Sequence, residues 1–286
     1  MPPAKRARVH DFARTRTAVL AQSAALREGI GTLTPGQLAL PTRLGEWTVR
    51  ELVAHLALVL GSVARGLALP APPKAELSLP EWALRTGSVA DAVDERVRTF
   101  VNELNELNEL NEVNGAGTAD GTGEAGGGVV QEYRRAADRL EQALAGVVDG
   151  ERPTQIRPAS MRLVDVLVTR CVELIVHTDD LNAATGLELP YDRQALAATT
   201  RALADALAVK APGGAVEVRI PPFAVVQCVE GPRHTRGTPP NVVETDPLTW
   251  ARLATGRLAW APAVDAARVA ASGERADLTE LLPVLS

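Results

Sequence analysis

Cysteine, lysine and aromatic residues are all scarce in this chain, and each shortage excludes something. Its two cysteines, Cys171 and Cys228, stand far apart, and neither belongs to a Cys-x-x-Cys pair. That argues against a disulfide scaffold and a cysteine-based zinc site, and the expected setting is a reducing cytoplasm. Lysine occurs only at Lys5, Lys74 and Lys210, so arginine carries nearly all the positive charge. With abundant alanine, this usage is associated with high-GC bacterial genomes. Of the few aromatics, Trp250 and Trp260 read as core or pocket wall rather than as a stacking platform. No apolar run reaches bilayer length, so no membrane partner is expected. The basic start MPPAKRARVH reads as a short disordered arm over residues 1–10, with no hydrophobic segment behind it to make a secretory signal. Lys5, Arg6 and Arg8 offer a nucleic-acid contact, but the net charge of −5 disfavours one.

What is present fits a globular protein of two ordinary domains. There are 286 residues, 46% of them apolar, and the mean hydropathy is close to zero. Asp11 is placed to cap a first helix running to about Arg27. Thr48-Val49-Arg50-Glu51 has the form of a capping box and opens a second helix that carries His55 among Leu52, Leu56 and Val59. Residues 69–80, rich in proline, are expected to connect. A third helix from near Ser88 runs into NELNELNELNEV, a three-residue repeat over 102–113 followed by a glycine-rich stretch. Three does not match the helical period of 3.6, so the repeated leucines drift around the axis. Residues 102–128 are read as a low-complexity insertion without a catalytic role. Helical spacing returns over 129–147, and Ser160 offers a cap for the helix that follows. Residues 11–186 thus predict a bundle of about four core helices.

From 190 to 286 the pattern changes. A helix over 192–209 precedes AVEVRI, FAVVQCVE and NVVETD, three β-rich runs. Asp246 and Pro247 are placed to open a helix that Gly256 ends. SGERADLTELLPVL predicts a last amphipathic helix. The fold class is therefore multidomain, α then α+β, with a small, mostly antiparallel sheet carrying helices on one side.

The chemistry concentrates on SMRLVDVLVTRCVELIVHTDDLNAAT (160–185), an apolar helix holding Glu173 and His177 at i,i+4. Those positions share one face, and a buried carboxylate needs a partner. A divalent metal is one candidate partner, with His55 as a third ligand. Two imidazoles and one carboxylate leave a position open for water or substrate, which is the catalytic pattern for zinc. Asp180, three residues beyond His177, could orient that imidazole from behind, whereas Asp179 reads as an exposed carboxylate. The alternative is a satisfied core histidine, with Glu173 paired to Arg170 or another arginine.

Two segments carry a family resemblance. PTRLGEWTVRELVAHLA (41–57) is similar to the opening motif of mycothiol-dependent maleylpyruvate isomerases, whose metal-binding domain is a DinB-like four-helix bundle. VELIVHTDDLNAATG (172–186) resembles the same family's second motif. Carried over by position, the resemblance implies metal ligands at His55, Glu173 and His177, with Asp180 at the trailing aspartate. PNVVETDPLTWARLATGRL (240–258) and ASGERADLTELLPVL (271–285) resemble bacterial sterol-carrier-like domains. The loop GPRHTRGTPPN holds Arg233, His234 and Arg236; it could bind a substrate carboxylate or be a solvated turn.

Two functions follow. In the first, a divalent metal, zinc by its ligand type, activates a low-molecular-weight thiol such as mycothiol for attack on a small substrate, as an isomerase or S-transferase. In the second, the C-terminal domain carries an apolar ligand and the metal is structural or vestigial. A regulator sensing metal or thiol status is a third, supported only by the basic arm.

Overall fold

The computed structural model of the protein describes residues 8–113, 127–231 and 239–285. Helix α1 (Phe12–Ile30) begins where Asp11 accepts a hydrogen bond from the Arg14 backbone N–H at 2.8 Å. A single turn, α2 (Pro35–Leu38), leads to α3 (Val49–Ala68), opened by the reciprocal Thr48–Glu51 capping box. By length and composition alone α3 could cross a membrane, despite Arg50, Glu51 and Arg65. Here its Leu52, Val53, Leu56 and Leu60 are fully buried in the protein core. The proline-rich connection ends in a second short helix, α4 (Leu79–Ala83). Helix α5 (Ala90–Val113) extends through the three-residue repeat. Leu104 on it is buried and Leu107 is 55% exposed, so the leucines leave the core as the period mismatch requires.

Helix α6 (Gly127–Leu144) precedes a hairpin of β1 (Pro153–Ile156) and β2 (Ala159–Arg162) that the sequence did not reveal. Ser160 is consequently not a helix cap. It lies in β2, and its hydroxyl donates to the Lys74 carbonyl at 2.9 Å. Helix α7 (Leu163–Thr185) starts three residues later and ends at Gly186, whose φ of 73° gives a left-handed cap. Helices α1, α7, α3 and α6 pack as the bundle, and α5 lies against α3 and α6. Residues Val164 to Val168 and Leu174 to Val176 are all buried, because α7 faces the bundle on one side and the second domain on the other.

That second domain opens with α8 (Arg193–Lys210), packed along α7. Strands β3 (Val216–Ile220), β4 (Ala224–Cys228), β5 (Val242–Thr245) and β6 (Val269–Ser272) form one sheet in the order β4-β3-β5-β6. The β3–β5 pair is parallel and the other two pairs are antiparallel. Val216, Val218 and Ile220 point into the core, while Glu217 and Arg219 pair with each other at 2.7 Å on the outer face. Helices α9 (Pro247–Ala254) and α10 (Trp260–Asp265) complete the domain. The expected last helix is absent. Ala270 and Ala271 pair with Glu244 and Val243 as β6, and only one 3₁₀ turn at Thr279–Leu281 follows.

Candidate metal centre

Helices α3 and α7 lie side by side and bring His55, Glu173 and His177 together. The capping box makes Thr48 the cap of α3, immediately after Trp47, whose ring sits 5.3 Å from that of His55. Trp47 is held in turn by its indole N–H, which donates to Asp94 on α5 at 2.7 Å. The Glu173 Oε2 lies 3.1 Å from His55 Nε2 and 3.2 Å from His177 Nε2. The two imidazole rings meet edge to face with centroids 4.9 Å apart. One donor atom from each of the three residues lies within 4.8 Å of the others.

This donor set suits a divalent ion. Tetrahedral zinc, with bonds of about 2.0–2.1 Å, spaces its ligand atoms by about 3.3 Å. The two carboxylate–imidazole separations come close to that edge, and the ligand types are those zinc prefers.

The electrostatics tie the three residues to a wider network. Burial opposes charge on Glu173, but hydrogen bonds from His177 and His55 outweigh it and hold the carboxyl well below its usual range. Burial also opposes charge on His177, yet Asp180 and then Glu173 raise its pKa. His55 goes the other way: burial dominates and lowers it. Asp180 is 1% exposed and accepts from His177 Nδ1 at 2.8 Å, Arg43 Nε at 2.6 Å and Arg257 Nη2 at 3.0 Å. Burial raises and these partners lower its pKa, with a net fall. Both carboxylates only accept, so metal-free His177 is held with a proton on each ring nitrogen. Asp180 keeps the one on Nδ1, and loss of the Nε2 proton to solvent frees that lone pair for a ligand.

Asp179 is not the exposed carboxylate its position at the helix end implied. It is buried, accepts from Arg252 Nη2 at 2.5 Å and from the Tyr191 hydroxyl at 3.0 Å, and pairs with Arg43. Arg252 and Arg257 come from the C-terminal domain, so the two neighbouring aspartates clamp that domain to the bundle beside His177. Arg43, Arg252 and Arg257 all lie within segments that carry the family resemblance. Nothing in their local spacing marked them, because their partners are at least 73 residues away. Arg233, His234 and Arg236 lie outside the described residues.

The triad opens on a cleft of about 1360 Å³. Trp47 and Trp82 form apolar walls, Arg170 and Ser62 lie along its α3–α7 side, and Arg257 reaches it from the second domain. Such a volume admits a small substrate together with a thiol of modest size.

A four-helix bundle with an imidazole–carboxylate–imidazole set in its interior, joined to a small sheet domain, defines the class. Residues 19–182 match the family described as the mycothiol maleylpyruvate isomerase N-terminal domain, and the chain belongs to that family. Residues 192–284 match the family described as bacterial SCP ortholog. In shape the chain is similar to the crystal structure of the mycothiol-dependent maleylpyruvate isomerase, with a TM-score of 0.56 and 15% identity over 92% of this chain and 93% of that one. A mutant of that enzyme with one histidine replaced by alanine gives a TM-score of 0.55, again at 15% identity, with 92% and 93% covered. At this identity the likeness speaks for the fold. No curated protein matches the sequence.

Proposed function

We propose that the protein is a metal-dependent enzyme that activates a low-molecular-weight thiol, mycothiol by family, for attack on a small substrate. The observation that carries this reading is the convergence of His55, Glu173 and His177 on one point of the cleft, with Asp180 fixing the His177 tautomer. A divalent ion held there, zinc being the best match to the donors, supplies a Lewis-acidic site that favours the thiolate of a bound thiol at neutral pH. The chain's own residues do the rest. His177 keeps its Nε2 lone pair turned to the site because Asp180 holds the proton on Nδ1. Glu173 offsets part of the added charge, and the walls at Trp47 and Trp82 narrow water access. The C-terminal domain closes the site through Arg257.

The apolar-carrier reading lacks comparable support. Trp250, Leu253 and Leu278 fill the core against the sheet, and a cleft at the domain junction beside Ile175 and Leu248 has no room for a ligand.

Metal analysis of the purified wild type beside His55→Ala and Glu173→Ala tests the proposal. Near-stoichiometric metal in the wild type and its loss in both variants is the expected result. Equal metal content in all three would overturn the assignment. Mycothiol binding by the loaded protein, and weaker binding by the stripped protein, tests the thiol.

A further inference from the structure

Arg170 is a buried cation without an anion. It lies one turn before Glu173 on α7, is 6% exposed and lines the cleft. Four of its five N–H groups go to neutral oxygens. Nη1 donates to the Val59 carbonyl at 3.2 Å and to Ser62 Oγ at 3.0 Å. Nε and Nη2 donate to Thr169 Oγ1 at 3.2 and 3.0 Å. The fifth, on Nη2, has no partner, and Arg170 forms no ion pair among the described residues. Burying an arginine in this way is costly unless some charge compensates it. Glu173 is the carboxylate whose field reaches it.

That compensation ends once Glu173 serves as a ligand. A divalent ion, one carboxylate and two neutral imidazoles sum to one net positive charge, and Arg170 adds another. A bound thiolate cancels one of the two. Asp180 cannot cancel the second, because Arg43 and Arg257 already hold it.

The walls of the cleft have the same sign. Seven arginines line it against four carboxylates, in a chain whose net charge is −5. Arg65, Arg96 and Arg157 are exposed cleft arginines and make no ion pair among the described residues. Arg65 lies back over Gly61, where an added Cβ would meet its Nη1 at 2.9 Å. A cleft with such walls concentrates anions from solution.

We propose that Arg170, held in place by Ser62, whose hydroxyl donates to the Val59 carbonyl at 2.7 Å, forms an anion subsite beside the triad, which takes a carboxylate of the small substrate. The free Nη2 hydrogen and the uncompensated charge bind it, while Arg65 and Arg157 draw it in. A planar guanidinium locked by four hydrogen bonds is already in place, so little ordering is needed on binding. The proposal deepens the metal–thiol reading and rests on it for the charge count.

Calorimetric titration of the full-length, metal-loaded protein with succinate, neutral succinamide and inorganic phosphate tests it, repeated after chelator treatment. The wild type is expected to bind succinate at least tenfold more tightly than succinamide, and more tightly than phosphate. Arg170→Met, shown folded by thermal melting, is expected to lose that preference, while Ser62→Ala weakens it. Equal binding of succinate and succinamide by the wild type would overturn the subsite, and so would a folded Arg170→Met that keeps the preference. Tighter phosphate binding would overturn the carboxylate assignment. Should Arg170→Met not fold, the wild-type comparison decides alone. Chelator-treated protein that keeps the full preference would overturn the subsite as argued, since Glu173 then compensates Arg170, whereas protein that takes up no metal at all would defeat the metal reading instead.

Discussion

Asp180 Oδ2 accepts the Nδ1 proton of His177 at 2.8 Å while the same side chain binds an arginine from each domain. Replacing it tests whether that contact governs the candidate ligand. Asp180→Asn keeps the shape but can present an N–H to Nδ1, which destabilises the tautomer with Nε2 free. Removing such a contact behind a ligating histidine typically costs 10–100-fold in metal affinity, roughly. Chelator competition at fixed pH is expected to show a loss in that range, with helical circular dichroism retained. Unchanged affinity would show that Asp180 serves only the domain clamp.

The pKa of His177 is raised and those of Glu173 and Asp180 are depressed, so the metal-free protein has a stability window with two edges. A raised histidine contributes stability that is complete below its unfolded value of 6.5 and is lost as pH climbs through the folded value. Depressed carboxylates contribute above their unfolded values near 4 and lose it as pH falls through the folded ones. His55, lowered by burial, takes back part of the gain below 6.5. Thermal melts of stripped protein from pH 4 to 9 are therefore expected to fall on the alkaline side, and Asp180→Asn to flatten that fall. Metal uptake must displace the His177 proton, so affinity is expected to drop as the buffer is acidified. A metal affinity independent of pH between 6 and 8 would contradict this.

The clamp at Asp179 makes a separate prediction. Its side chain is 5% exposed and faces Arg43 and Arg252. Asp179→Ala leaves both guanidinium groups close together without their shared acceptor. The expected loss is about 2–3 kcal/mol, at the lower end for a broken buried pair because both arginines are partly exposed. Urea unfolding is expected to shift and, with the domains uncoupled, to separate into two transitions. A single transition at the wild-type midpoint would show that the apolar contact between α7 and α8 holds the domains unaided.

What the chain's local pattern revealed, and what it did not, follows from range. Asp11, Thr48 and Asp246 cap helices through bonds to residues two or three positions on, so they could be read from sequence. Glu173 and His177 share a helix face by spacing alone. His55 could be offered as a third ligand from its own apolar helix, and the family resemblance strengthened that reading, but no spacing rule joins it to Glu173, 118 positions away. Hairpin β1–β2 has four-residue strands flanked by prolines, too short for alternation to register, and Ser160 mimicked a cap. Strand β6 is rich in alanine, and only its pairing with β5 makes it extended. The aspartate–arginine clamp had no local signature at all. Asp179 looked like a solvated helix end because the domain that covers it comes later in the chain.

The repeat helix gives the last prediction, one that separates a packed turn from a solvated one. Leu104 and Leu107 occupy equivalent places in consecutive Asn-Glu-Leu units, and their sequence neighbours are nearly identical. Propensity therefore cannot distinguish them. Packing does, since a step of three residues at 100° each turns the side chain by about 60° away from its predecessor. Leu104 is 9% exposed against the bundle, whereas Leu107 is 55% exposed. Leu104→Ala is expected to cost about 2–4 kcal/mol, the range for truncating a buried leucine. Leu107→Ala should stay within about 0.5 kcal/mol, as surface changes do, and alanine's helix propensity offsets part of the lost contact. Urea midpoints of the two variants provide the measurement. Equal losses would mean that the helix continues along the bundle past Leu104, and equal indifference would mean that the repeat detaches before it.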